Sequence, residues 1–132
     1  IKDLIVSQLK ASNSWTNYPL IFKELLSSKS QTLYEDEIVS VKTIPLNHRI
    51  YTNGFLFKSN GKKNQIYAFC SDTKYDENII DYIKFADILY HDLTFLNLDQ
   101  DLAIKTKHST SIEAATIAEK AKVKKLQISY FK

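Results

Sequence analysis

With 132 residues, 44% of them apolar and 25% charged, the chain has enough apolar side chains for one modest core but not for two. No run approaches the roughly 20 apolar residues that span a bilayer, the first residues lack a signal-peptide layout, and a net charge of +3 permits RNA binding without arguing for it. Two glycines, Gly54 and Gly61, are too few for a glycine-rich phosphate cradle or a dinucleotide fingerprint. The single cysteine, Cys70, leaves no internal disulfide and fits a reducing cytoplasm. A chain that starts at Ile1 and contains no methionine is expected to be cut from something longer.

In chain order, Ile1–Ala11 predicts a helix, because Ile1, Leu4, Ile5 and Leu9 recur near a 3.6-residue period. SNSWTNYP reads as a loop, Leu20–Leu26 as a short strand and SSKSQ as a turn. Glu37–Leu46 and Gly54–Lys58, rich in Ile, Val, Thr and Phe, predict strands on either side of NHRIYTN. Asn60-Gly61 signals a hairpin before a strand at Gln65–Cys70. Asp76–Phe85 predicts a capped helix with Ile79, Ile80 and Ile83 on one face, followed by a buried strand at Ala86–Tyr90. Thr110 and Glu113 form a capping-box pattern, opening a helix whose inner face is Ala114, Ile117, Ala118 and Ala121. Lys125–Phe131 reads as the closing strand. The expected class is α/β, a mixed sheet covered by helices on one face, with residues 1–132 as a single partial domain. No internal repeat or low-complexity segment interrupts this order.

Four segments put metal-capable side chains at strand ends or helix starts: PLNHR with His48, CSDT with Asp72, YHDLTF with His91 and Asp92, and KHSTS with His108. A carboxylate just past a buried strand stands where α/β folds build sites, and a histidine just ahead of a capped helix is held by a rigid element. Each also has a plain reading. A lone histidine after a strand is more often hydrogen-bonded at the surface than a ligand, which applies to His48. Asp72 serves an Asx turn equally well, His91 reads as a packed core histidine, and His108 could simply support its helix. Taken together they point to a His/Asp hydrolytic or metal site.

The segments LKASNSWTNYPL, IPLNHRIYTNGFLF, FCSDT, ILYHDLTF and KHSTSIEAATIAEKAKVKKL resemble, in order and spacing, those of ribonuclease Z proteins. That resemblance implies the second half of a metallo-β-lactamase fold, an αβ/βα sandwich. It also implies a zinc-dependent endoribonuclease that removes the 3′ trailer of precursor tRNA, as a cytoplasmic homodimer with no membrane attachment. Within it, His48 resembles the lone histidine ligand of one zinc and Asp72 the aspartate that bridges two. Asp92 stands where the family usually has glutamate. His108 resembles the histidine that, with that acidic residue, helps to protonate the leaving 3′ oxygen.

The chain departs from the family in three ways. It has no HxHxDH segment, and His48 with Asp72 falls short of the three protein ligands of a catalytic zinc, so the chain alone is expected to be inactive. Tyr130 occupies the position of a histidine at the end of the closing strand, and a phenol with pKa near 10 is a poor zinc ligand at neutral pH. The long arm that grips tRNA in many members is reduced to SNGKKN. The alternatives are a degenerate, non-catalytic paralogue or fragment, and another phosphoesterase of the same fold. The lysines of Gly61–Lys63 and Lys120–Lys125 read as solvated faces that could meet phosphate.

Overall fold

A computed structural model describes residues 2–12, 20–26, 28–61 and 63–129. Tyr130, the SWTNYP segment and Lys62 lie outside the described residues. Six strands form one mixed sheet in the order in which they occur: β1 (Thr32–Glu35), β2 (Val39–Leu46), β3 (Thr52–Ser59), β4 (Ile66–Cys70), β5 (Ile88–Asp92) and β6 (Leu126–Ser129). β1 to β4 pair antiparallel through short connections. β4, β5 and β6 run parallel, which requires helical crossovers. The first crossover is a 3₁₀ turn at Glu77–Ile79 leading into α2 (Ile80–Ile83). The second contains a 3₁₀ turn at Asn97–Asp99, α3 (Gln100–Thr106) and α4 (Ser111–Lys120). The amino-terminal helix α1 (Lys2–Ala11) matches its apolar period but buries none of its residues, leaving Leu4 70% exposed.

The core lies on the helical side of the sheet. Ile44 of β2, Ala68 and Cys70 of β4 and Leu89 of β5 form one core cluster with Ile79 and Ile83 of the first crossover and Ile117 and Ala118 of α4. Each fully buried Ile or Leu contributes about 1.5–3 kcal/mol, and alanines at 68, 118 and 121 let α4 approach the strands closely. Gly54 is needed for the same closeness: a Cβ there would sit 2.5 Å from the Phe69 carbonyl oxygen of the next strand. The opposite face carries a cross-strand aromatic ladder, in which Phe69 stacks on Tyr90 at 4.7 Å and Phe57 meets Tyr67 at 6.0 Å.

Several expectations change. Leu20–Leu26 is not a strand; it runs as irregular backbone tied down by side chains, with Gln31 accepting from the Leu26 amide and Lys23 donating to the Leu33 carbonyl. The edge position goes instead to Thr32–Glu35, where Asp36 turns the chain by accepting from the amides of Ile38 and Val39, both at 2.7 Å. The helix capped by Asp76 closes early, since Phe85 adopts φ 61. β5 begins and ends two residues later than predicted, so that His91 and Asp92 are strand residues. The β3–β4 hairpin forms, but Gly61 does not use positive φ, so it is not the two-residue turn that Asn-Gly favours. α3 was not predicted. Among the described residues no helix is long and apolar enough to cross a membrane.

Candidate active site

Parallel β4 and β5 deliver Asp72 and Asp92 to the same end of the sheet, and the capping box of α4 fixes the residues just before it. Thr110 accepts from the Glu113 amide while the Glu113 carboxylate accepts from the Thr110 amide, at 3.4 and 2.9 Å. His108 and Ser109 therefore enter the site from a rigid helix start. α3 supplies the other support. Its last turn ends at Lys107 in the left-handed region, φ 58, a conformation that disfavours a residue with a Cβ. The Lys107 carbonyl thereby faces His48 and accepts from its Nδ1 at 2.9 Å.

That bond leaves His48 Nε2 with its lone pair directed to the site, an arrangement common in metal-ligating histidines. His48 Nε2 lies 4.0 Å from Asp72 Oδ2, with the histidine side chain nearly buried and the aspartate 64% exposed. One donor atom each from His48, Asp72 and His108 lies within 4.8 Å of the others, a possible metal-binding triad. Donors this close fit a shared ion whose bonds are about 2.0–2.2 Å. Sequence reasoning named His48 and Asp72 as ligands; the fold also brings the imidazole of His108 beside them. The rings of His48 and His108 meet edge to face at 4.8 Å.

Asp92 is not among those donors; its nearly buried carboxylate is held by four hydrogen bonds. Oδ2 accepts from His108 Nδ1 at 2.8 Å and from the amides of Thr73 and Ser109 at 3.1 and 3.3 Å. Oδ1 accepts from the Thr94 hydroxyl at 2.6 Å. Ser109 Oγ also donates to the Thr73 carbonyl at 2.7 Å, so the loop after β4 and the start of α4 are laced together around one carboxylate. With Nδ1 donating to Asp92, His108 keeps Nε2 free for a proton transfer.

His91, by contrast, points into the core. It is fully buried, its Nδ1 donates to the Asp92 carbonyl at 2.9 Å, and burial holds its pKa below the ordinary value of 6.5. Cys70 is equally buried, its thiol pushed up to about 12. Two lysines of the Lys120–Lys125 stretch are engaged away from the site, Lys120 with Glu77 and Lys124 with Asp87 at 2.7 Å. Thr73, Thr94, Lys107 and Ser109 were missed in the sequence. The adjacency of Thr94 to HD and of Ser109 to His108 was the available signal; nothing pointed to Lys107 without α3.

No protein-family model matches the chain. Ribonuclease Z of Cytophaga hutchinsonii is 33% identical over 177 aligned residues, covering 99% of this chain and 56% of that protein. The aligned stretch exceeds the 132 residues of this chain, so the relative carries internal residues with no counterpart here. Human tRNase Z, short form, superposes with TM-score 0.71 and 30% identity over 77% of this chain and 40% of that structure. The metallo-β-lactamase fold protein YhfI of Bacillus subtilis gives TM-score 0.65 over 75% of this chain and 39% of its own, at 22% identity that speaks for the fold alone. The chain thus spans about half the length of the curated relatives it matches. By sequence and by fold, this is a ribonuclease Z-like chain of the metallo-β-lactamase fold, the counterpart of about half of its relatives.

Proposed function

We propose that the chain is a single partial domain, the C-terminal half of a ribonuclease Z that removes the 3′ trailer of precursor tRNA. The observation that carries this reading is the pair of linked groups at one end of the sheet: His48 and Asp72 facing each other at 4.0 Å, and His108 held by Asp92 at 2.8 Å. His48 and Asp72 would hold zinc, and the remaining donors of a two-metal site would come from residues outside this chain, as an HxHxDH segment supplies them. Zinc, when bound, supplies an activated water and stabilises charge on the phosphoryl oxygens. His108 carries the proton for the leaving 3′ oxygen on Nε2, and Asp92 orients the ring and stabilises its charged form. A cytoplasmic homodimer follows from the same resemblance.

A chimera joining the first half of the Cytophaga hutchinsonii protein to this chain tests the proposal. It is expected to retain zinc through dialysis and to release 3′ trailers, whereas the chain alone binds zinc weakly. His48→Ala and Asp72→Ala should lower both quantities, and His108→Ala cleavage by about 10²–10⁴-fold with zinc kept. A folded, zinc-loaded chimera that cleaves nothing would favour the second reading, a non-catalytic paralogue, which Tyr130 in place of a histidine supports.

A further inference from the structure

We infer that the cleft beside His48 is a subsite for one unpaired nucleotide of single-stranded RNA, with Tyr51 as its stacking platform and Arg49 as its phosphate contact. This inference rests on the RNA-processing reading above and adds to it the residues that grip the strand. The cleft, about 810 Å³, opens between the β2–β3 turn and the start of the first crossover. That volume lies in the range of small-ligand clefts, about 300–1,000 Å³. His48 belongs to its wall, so an occupant would lie directly against the candidate active site.

The chemistry of the lining is that of strand recognition rather than of a buried apolar ligand. Tyr51 is 88% exposed, and Tyr82 enters the same cleft from α2 on the other side. Arg49 is exposed and has no hydrogen bond or ion pair among the described residues, unlike Lys120 and Lys124. The one carboxylate in the wall, Asp76, is already taken: it accepts from Asn47 Nδ2 at 3.3 Å and from the Asn78 amide and Nδ2 at 2.9 and 2.7 Å. Its charge is therefore partly offset by amide donors, and the side-chain carbonyls of Asn47 and Asn78 remain as acceptors for a base edge. An exposed aromatic ring and a free guanidinium two residues apart, on a turn whose neighbouring histidine is in the site, suit a splayed base and its phosphate.

The test is fluorescence anisotropy of a labelled mixed-sequence RNA hexanucleotide with the intact chain, Tyr51→Ala and Arg49→Ala, over a range of salt. Both side chains are exposed, so both variants are expected to fold, which circular dichroism verifies. Tyr51→Ala should weaken binding by about 5- to 150-fold, the range for loss of one stacked base. Arg49→Ala should reduce the slope of log affinity against log salt by about 0.7, as for one phosphate on a single strand. Tyr51→Ala and Arg49→Ala binding like the native chain, with an unchanged salt slope, overturns the subsite. The same substitutions in the chimera separate the two ideas. Trailer cleavage with unchanged KM would leave the enzyme reading standing and sink the subsite. Absence of cleavage, with hexanucleotide binding still dependent on Tyr51 and Arg49, would sink the enzyme reading and keep the subsite.

Discussion

Replacing Asp92 by asparagine isolates the charge of the carboxylate from its shape. Three donors converge on Oδ2, whereas Oδ1 faces only the Thr94 hydroxyl, which can rotate to accept. An amide can therefore place its oxygen where Oδ2 lies and its NH₂ toward Thr94 without leaving a donor unpaired. What changes is the strength of three charge-assisted hydrogen bonds. Each falls from about 1.5–3 to about 0.5–1.5 kcal/mol, and the cheaper burial of a neutral group returns part of the sum. A net loss of about 1–3 kcal/mol is expected. Asp92→Ala, which strands buried amides of Thr73 and Ser109, should cost about 3–5 kcal/mol. Urea unfolding of the three proteins at constant m-value measures the order directly. Equal stability of Asp92→Asn and the native chain within about 0.5 kcal/mol, or alanine tolerated better than asparagine, would refute the view that this carboxylate holds the site together.

Gly54→Ala should destabilise by about 1–3 kcal/mol, because its Cβ would meet a backbone oxygen at 2.5 Å, whereas Gly61→Ala should be nearly neutral; urea midpoints compare them. The Cys70 thiol, buried and pushed up to about 12, should react with a maleimide at pH 8 only as fast as the chain unfolds, and immediate native-state labelling would contradict its burial. His91 has its pKa lowered by burial, so below pH 6.5 the unfolded chain binds the extra proton and stability falls with falling pH until the lower folded value is passed. The slope reaches about 1.4 kcal/mol per pH unit, and His91→Gln should remove that part of the difference between pH 7.5 and pH 5; identical profiles would exclude His91 as its source.

The strands β2 to β4 and the α4 capping box were legible because local chemistry dictates them: β-branched residues over Val39–Leu46, and a Thr110–Glu113 pair directly ahead of Ala114, the first core alanine of α4. The candidate site residues His48, Asp72, Asp92 and His108 could be named individually, since each follows or ends a recognisable element. Their mutual geometry could not, because it depends on the Lys107 carbonyl, exposed by a left-handed residue at the end of an unpredicted helix. α3 escaped notice because Leu98, Leu102 and Ile104 stay substantially exposed, so its apolar pattern follows no single buried face. β1 escaped because its turn is made by the Asp36 side chain rather than by glycine.

The bond from His48 to the Lys107 carbonyl joins residues 59 apart in sequence, and that from Ser109 to Thr73 joins residues 36 apart. The antiparallel meander from β1 to β4 needs only short loop closures, but these two bonds need both parallel crossovers in place. During refolding, secondary structure should therefore rise before the Lys107 carbonyl fixes the His48 ring and His108 comes beside it. A metal-binding signal in a stopped-flow experiment should lag behind the circular dichroism signal and report the arrival of the last crossover.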